Sequence, residues 1–290
     1  MSTTLVLQAL ITGLLLGGLY ALVSSGLSII MGVMNIVNFA HGEFLMLALY
    51  LAWGLAVFAD FNVYATMLVT IPVLFLFGAL VFKGTIERVL QKPILVQIIL
   101  TLGLSMFLQG LATALFSADV RSVANPYSQM TLKFAGMFIS VPYVIAFVGS
   151  CLAFIFLWWV LQKTEMGRSI RASAQNAGAA QLMGIDIRKT YLLAFGIGSA
   201  LVGLAASLMI PFYYATPVSG FTLGLFAFFV IVLGGNGSLL GCFLGGLIIG
   251  VAESLGAALL PGSLSRVCVF AVFVAFLMFR PQGIMQRRTT

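Results

Sequence analysis

The chain has 290 residues, of which 62% are hydrophobic and 7% charged, with a mean hydropathy of +1.17. A soluble domain carries about 25% charged residues, so 14 basic and 7 acidic side chains cannot cover a water-facing surface of this size, which excludes a soluble globular chain and a disordered one. The net charge of +7 does not point to nucleic acid, because the basic residues fall in short clusters between apolar runs, where lipid and topology account for them.

In chain order, the apolar runs predict membrane spans near 6–30, 43–59, 62–82, 94–116, 140–162, 190–213, 218–234, 241–260 and 262–280. No basic stretch precedes Leu5 and no small-residue cleavage site follows a short apolar core, so the first run reads as a retained helix and not as a cleaved leader. The run 218–234 is barely long enough to cross, which leaves eight spans plus a re-entrant segment as an alternative to nine. All these runs are continuous and long, unlike the alternating segments of about ten residues in a barrel. The predicted fold is therefore all-α and polytopic, with about 8–9 transmembrane helices in one transmembrane domain, 1–290.

Orientation follows from Lys and Arg. Loop 83–92 holds Lys83, Arg88 and Lys92; loop 163–189 holds Lys163, Arg168, Arg171, Arg188 and Lys189; the tail holds Arg280, Arg287 and Arg288. Only Arg121, Lys133 and Arg266 fall elsewhere. The positive-inside rule then makes those two loops and the C-terminus cytoplasmic and the N-terminus external. Segment 117–139 becomes the one sizeable external loop, with Asn125 and Pro126 as turn signals.

Cys151, Cys242 and Cys268 all sit in apolar runs, odd in number and at no metal spacing, and read as small core residues. No Gly-x-x-x-x-Gly-Lys-Ser/Thr occurs, so the chain has no P-loop of its own. With one histidine, His41, and seven carboxylates, no nucleophilic or metal constellation can be assembled, and an enzymatic role is not expected. The longest polar stretch is 163–191, whose middle, from Ser169 to Met183, suits a short surface helix ended by Gly184. That helix is either a solvated loop helix or a docking element for a partner, with Ala172, Ala174, Ala177, Ala179 and Ala180 permitting close approach.

Three segments carry a resemblance: GLYALVSSGLSIIMGVMNIVNFAHGEFLMLALY at 18–50, RASAQNAGAAQLMGID at 171–186 and VLGGNGSLLGCFLGGLIIGVAE at 232–253. In this order they resemble the ABC-type branched-chain amino acid permeases, on the LivH-like side of that family. The loop departs from the general importer pattern in having Ala172-Ser173-Ala174 where a Glu-Ala-Ala start would stand. The resemblance implies a bacterial inner-membrane importer assembled from several chains. A second permease, identical or related, would complete the pathway. Two cytoplasmic ATPases, carrying the ATP and magnesium that this chain does not bind, would dock at the loop. An external binding protein would deliver the amino acid. The coupling residues implied are Arg168, Arg171, Ala172, Gln175, Asn176, Ala180, Gly184 and Asp186. The same resemblance admits urea, short amides or other amino acids as cargo. An ion-coupled secondary transporter is a rival from another class, and it would need mid-membrane carboxylates, for which Glu253 is the candidate.

Two further groups stand out. Asn35, Asn38, His41 and Glu43 fall in a break between apolar runs, and Gly234, Gly235 and Asn236 in a second break. Broken helices place polar groups at transport paths, so these are candidate path residues; a polar turn in the first case and a cytoplasmic turn in the second are the plain alternatives. The two breaks also suggest a repeat of 6–59 in 218–260. Glu253 lies about 9–10 Å inside its helix at ~1.5 Å per residue, level with Arg266 on the next, and the cost of an isolated charge there predicts that the two pair. The pairs Gly13/Gly17, Gly241/Gly245 and Gly246/Gly250 predict close helix packing.

Overall fold

An unbroken run of apolar and small residues from Thr3 to Met34 forms a single helix of 32 residues, α1, and the rest of the chain is organised around it in a computed structural model that describes residues 3–134, 136–260, 264–280 and 282–285. The helices that follow are α2 (His41–Phe58), α3 (Met67–Gly84), α4 (Ile94–Phe116), α5 (Val141–Lys163), α6 (Glu165–Gln175), α7 (Ala177–Leu182), α8 (Ile187–Met209), α9 (Ser219–Gly234), α10 (Leu239–Leu259) and α11 (Ser265–Phe279). Seven helices among the described residues are long and apolar enough to cross a membrane, and two apolar helices, α9 and α11, are shorter. The protein is an all-α, multi-pass membrane protein. The nine predicted runs match nine helices, although positions 262 and 263 of the last run lie outside the described residues.

Glycines set the closest contacts. Gly13 and Gly17 of α1 face Gly250 and Gly246 of α10; a Cβ on Gly17 would stand 2.7 Å from the Cα of Leu247. Gly241 and Gly245 face α9 in the same way, against Gly234 and Val230. Antiparallel α3 lies on α8, pinned where Thr70 Oγ1 meets the Gly203 carbonyl at 3.0 Å and Ser207 Oγ at 2.8 Å. The pairing is reciprocal: α1 packs most extensively on α10 and α3 on α8, while α1 meets α8 and α2 meets α9. Two inverted units, α1–α4 and α8–α11, account for this pattern.

The break that matches 35–40 is therefore 210–218 and not 234–238. Residues Gly234 to Ser238 form a close turn between antiparallel α9 and α10, with Gly235 at φ 94° and Gly237 at φ 77°, a backbone that only glycine adopts freely. The C-terminal segment closes over this turn through Ile284 N–H to the Leu233 carbonyl and Met285 N–H to the Gly234 carbonyl.

One end of the bundle gathers the basic loops. The Arg188 guanidinium on α8 pairs with Glu87 on the 3-10 turn Ile86–Val89, joining loop 83–92 to loop 163–189. Gly237 beside Gly32, and Gly283 beside Gly235, bring the α9–α10 turn and the C-terminal segment to that same end. Arg287 and Arg288 lie outside the described residues. At the opposite end, segment 117–139 carries a 3-10 turn (Pro126–Gln129) and an unforeseen hairpin of β1 (Thr131–Phe134) and β2 (Met137–Ser140), antiparallel with Thr131 opposite Ser140.

Candidate functional site

The first break begins as a helix stop. Asn35 takes a left-handed backbone, φ 53°, and its N–H bonds the Met31 carbonyl, the usual way for asparagine to end a helix. The chain then turns back into the bundle instead of leaving it. His41, the first residue of α2, reaches the carbonyl of Val23 with Nε2 at 3.1 Å. Val23 is eleven residues before Met34, so at 1.5 Å per residue α2 starts about 16 Å inside the basic end. Asn38 supports the turn by accepting the Ala40 N–H at 3.1 Å. Asn38 and His41 are wholly buried and Glu43 is 1% exposed, which removes the reading of a polar turn at the membrane face. Asn35 alone of the four is exposed.

The second unit does the same from the other side. Ala215 pairs with Arg121 near the end of α4, and the chain then descends so that α9 begins beside α2. A Cβ on Gly42 would lie 2.7 Å from the Cα of Gly224, and one on Gly220 would overlap the Glu43 carboxylate. Two helix N-termini thus converge deep in the bundle with Glu43 between them. Helix N-termini carry partial positive charge, so the convergence favours an anion there. Glu43 Oε1 accepts a hydrogen bond from Ser105 of α4 at 3.1 Å, whereas Glu43 Oε2, His41 Nδ1 and Asn38 Nδ2 are buried with no partner among the described residues. On α2 His41 faces α1 and Glu43 faces α4 and α9, so they do not share one pocket.

Glu253 meets Tyr20 and not Arg266. The Tyr20 hydroxyl of α1 donates to Glu253 Oε2 of α10, and Arg266 is exposed on α11 with no ion pair of 4.0 Å or less to Glu253 among the described residues. A hydroxyl from a neighbouring helix takes the direct contact with the carboxylate, and Arg266 acts on Glu253 only at longer range.

At the basic end the predicted surface helix is split in two. Thr164 caps α6 by accepting the Gly167 N–H at 3.0 Å, and Asn176, in an extended backbone, ends α6 and caps α7 by accepting the Ala179 N–H at 2.9 Å. Gly184 ends α7 at φ 85°, as predicted, and Asp186 caps α8 through the Lys189 N–H at 3.0 Å. Asn176 and Asp186 therefore use their side-chain oxygens to shape the loop. Ala180 is buried and offers no docking surface, and Arg171 and Ala172 are half-buried; Arg168, Gln175, Asn176, Gly184 and Asp186 are exposed. The most exposed large apolar side chains of this loop are Leu182 and Met183, at 90% and 84%. Beside this tip an open cleft of about 890 Å³ is lined by Met34, Glu87, Lys92, Gly178, Asp186 and Tyr191, among others.

Comparison with known proteins decides what kind of bundle this is. The family described as branched-chain amino acid transport system / permease component matches residues 9–277. The chain belongs to this family. It is 33% identical to the high-affinity branched-chain amino acid transport system permease protein BraD of Pseudomonas aeruginosa, over 97% of this chain and 96% of the relative. It is 32% identical to the permease protein LivH of the same kind of system in Escherichia coli, with the same coverage. The ribose import permease protein RbsC of Haemophilus influenzae is 30% identical over 62% of this chain and 58% of its own length. No solved structure matches at a comparable level.

Against that family, hydropathy could not separate a permease helix that starts at the membrane face from one that starts in the middle, so the sequence placed Glu43 at a boundary. It missed Gly42, Gly220 and Gly224, which make the crossing of α2 and α9 possible; a small residue at each of two facing helix starts was the available signal. It also missed Ser105, Thr101 and Gln97, whose four-residue spacing puts three polar side chains on one face of an otherwise apolar α4.

Proposed function

We propose that this permease is the membrane subunit of an ATP-driven importer for branched-chain amino acids. In this reading the basic end faces the cytoplasm, as the clustering of Lys and Arg there favours, and the 117–140 end receives cargo from an external binding protein. A second permease chain completes the pathway, and two ATPase subunits hold the nucleotide and magnesium. The observation that carries the proposal is the relatedness to two branched-chain amino acid permeases along 97% of the chain.

The geometry gives this reading a mechanism. Leu182, the last residue of α7, and Met183 just after it are apolar groups held in water by two side-chain caps, the arrangement expected of an anchor that enters a partner's pocket. Close contact of α6 with α5, α1 and α8 would carry a push on that tip into the bundle. Buried Ile170 and Gly167, whose Cβ would collide with the Val160 and Leu161 carbonyls, leave α6 little freedom to slide independently. Inside, α2 and α9 both begin within the bundle after short non-helical stretches, and their starts can part without breaking a continuous helix. Outward and inward openings then alternate about the crossing of Gly42 and Gly220. Gly234, Gly235 and Asn236 act here as the turn that anchors α9 to α10.

Native mass spectrometry of the gently solubilised complex, purified by a tag on this chain in its own host, tests the assembly. Two ATPase chains and a second permease at fixed stoichiometry support the proposal. A chain that purifies only with itself under every mild condition contradicts it.

A further inference from the structure

Glu43 is a buried carboxylate that takes part in no ion pair among the described residues, with only the partial charge of two helix N-termini beside it. The ion pairs among the described residues, Arg121–Asp119, Arg168–Glu165 and Arg188–Glu87, all lie in the end loops or at helix ends. One oxygen of Glu43 takes the Ser105 hydroxyl and the other takes nothing. Gly220 lies directly against that second oxygen, where any side chain would overlap it, so the oxygen is enclosed and becomes reachable only when the starts of α2 and α9 part. The group missing from this site is a small cation or donor, since an unpaired carboxylate deep in a membrane is costly.

The site also has a polar way out. On α4 the inward residues below Ser105 are Thr101 and Gln97, successive at four-residue spacing and so about 12 Å from first to last. None of them serves helix-to-helix packing of the usual kind. Thr101 Oγ1 reaches the Val37 carbonyl at 3.1 Å in the non-helical break, and Gln97 Nε2 reaches the Leu90 and Lys92 carbonyls at 3.2 and 3.0 Å, while Gln97 Oε1 has no partner. Lys92 and Leu90 line the cleft at the basic end, as does Met34, the residue before the break. A line of hydroxyl, carbonyl and amide groups thus joins Glu43 to the open cleft. Most other faces of α4 are apolar and exposed, and its main helix contacts are with α2 and the 86–89 turn, so it is the element most free to move away from this seam.

We infer that Glu43 binds the ammonium group of an α-amino acid in transit, and that the amino acid leaves toward the basic end along the seam of Ser105, Thr101 and Gln97. This rests on the importer reading and names the substrate group that the path recognises. A sugar would bring no charge to match the carboxylate. Ser105 is a positioning residue, holding one carboxylate oxygen so that the other is left without a partner.

The test uses the complete complex in liposomes, with ATP in the lumen and binding protein outside, and L-leucine as the probe. Glu43→Gln is expected to lower leucine uptake about tenfold or more while binding-protein-stimulated ATP hydrolysis stays within about twofold, and Glu43→Asp recovers part of the uptake. Equal loss of uptake and hydrolysis, or no loss of either, overturns the assignment of Glu43. For the seam, Cys151, Cys242 and Cys268 are first replaced, then Thr101→Cys is probed with a charged thiol reagent from the basic side during turnover. Labelling that slows several-fold at saturating leucine supports the route; no labelling in any state, or labelling that leucine leaves unchanged, overturns it. If the unmodified complex takes up no leucine at all, the importer reading itself has failed.

Discussion

Gly42 at the start of α2 and Gly224 in the first turns of α9 meet backbone to backbone, with space for no side chain between them. This contact lets the starts of two helices cross inside the bundle, and it sets the depth at which Glu43 is held. Replacing Gly42 by Val is expected to destabilise the permease by about 1–3 kcal/mol through overpacking. Gly54→Ala, on the same helix with nothing within 4 Å of the added Cβ, is the matched control and should stay within about 0.5 kcal/mol of the parent. Thermal unfolding in detergent of the two variants side by side checks this; equal stability of Gly42→Val and Gly54→Ala would dissolve the argument for a close crossing.

At the tip of the basic end, Leu182→Ser and Met183→Ser should leave folding untouched, because neither side chain packs on the bundle. Their effect should fall on association. Losing a buried apolar anchor costs about 1–2 kcal/mol, or roughly tenfold in affinity each. Titration of the purified ATPase onto the solubilised permease measures this. Ala180→Ser, at a buried position of the same helix, should instead act on loop stability with little direct effect on affinity.

Tyr20 and Glu253 tie α1 to α10, and the bond replaces the Glu253–Arg266 pair that the sequence suggested. Tyr20→Phe leaves a carboxylate short of its donor and should cost about 1–3 kcal/mol. Combined with Glu253→Gln, the total should fall clearly below the sum of the single effects, the signature of direct contact. Arg266→Gln should change stability by less than about 0.5 kcal/mol. Additivity for Tyr20 and Glu253, together with strong coupling between Glu253 and Arg266, would restore the original pairing.

Much of the architecture was legible because apolar length and basic clustering are composition effects. All nine runs became helices, the glycine pairs at 13/17 and 246/250 became the α1–α10 contact, and Gly184 became a helix stop. What could not be read depends on where an element begins in depth. Residues 210–218, IPFYYATPV, are apolar enough to look like the end of one span and the start of the next, so the true counterpart of the first break was hidden, and the glycine-rich 234–238 took its place. Asn176 looked like part of one surface helix because an asparagine can sit within a helix or cap the next, and only its extended backbone distinguishes the two. Tyr20 lies 233 residues from Glu253, a contact that no local pattern encodes. The hairpin at 131–140 is short, and its alternation around Gly136 was outweighed by the surrounding loop signals.

Uptake of radiolabelled L-leucine into liposomes holding the purified complex tests the central claim most directly. Binding protein and leucine are supplied outside, ATP is enclosed in the lumen, and ionophores collapse every ion gradient. Uptake that requires ATP and binding protein and survives the ionophores is the predicted result. Uptake that proceeds without ATP and follows an imposed proton or sodium gradient would contradict the account.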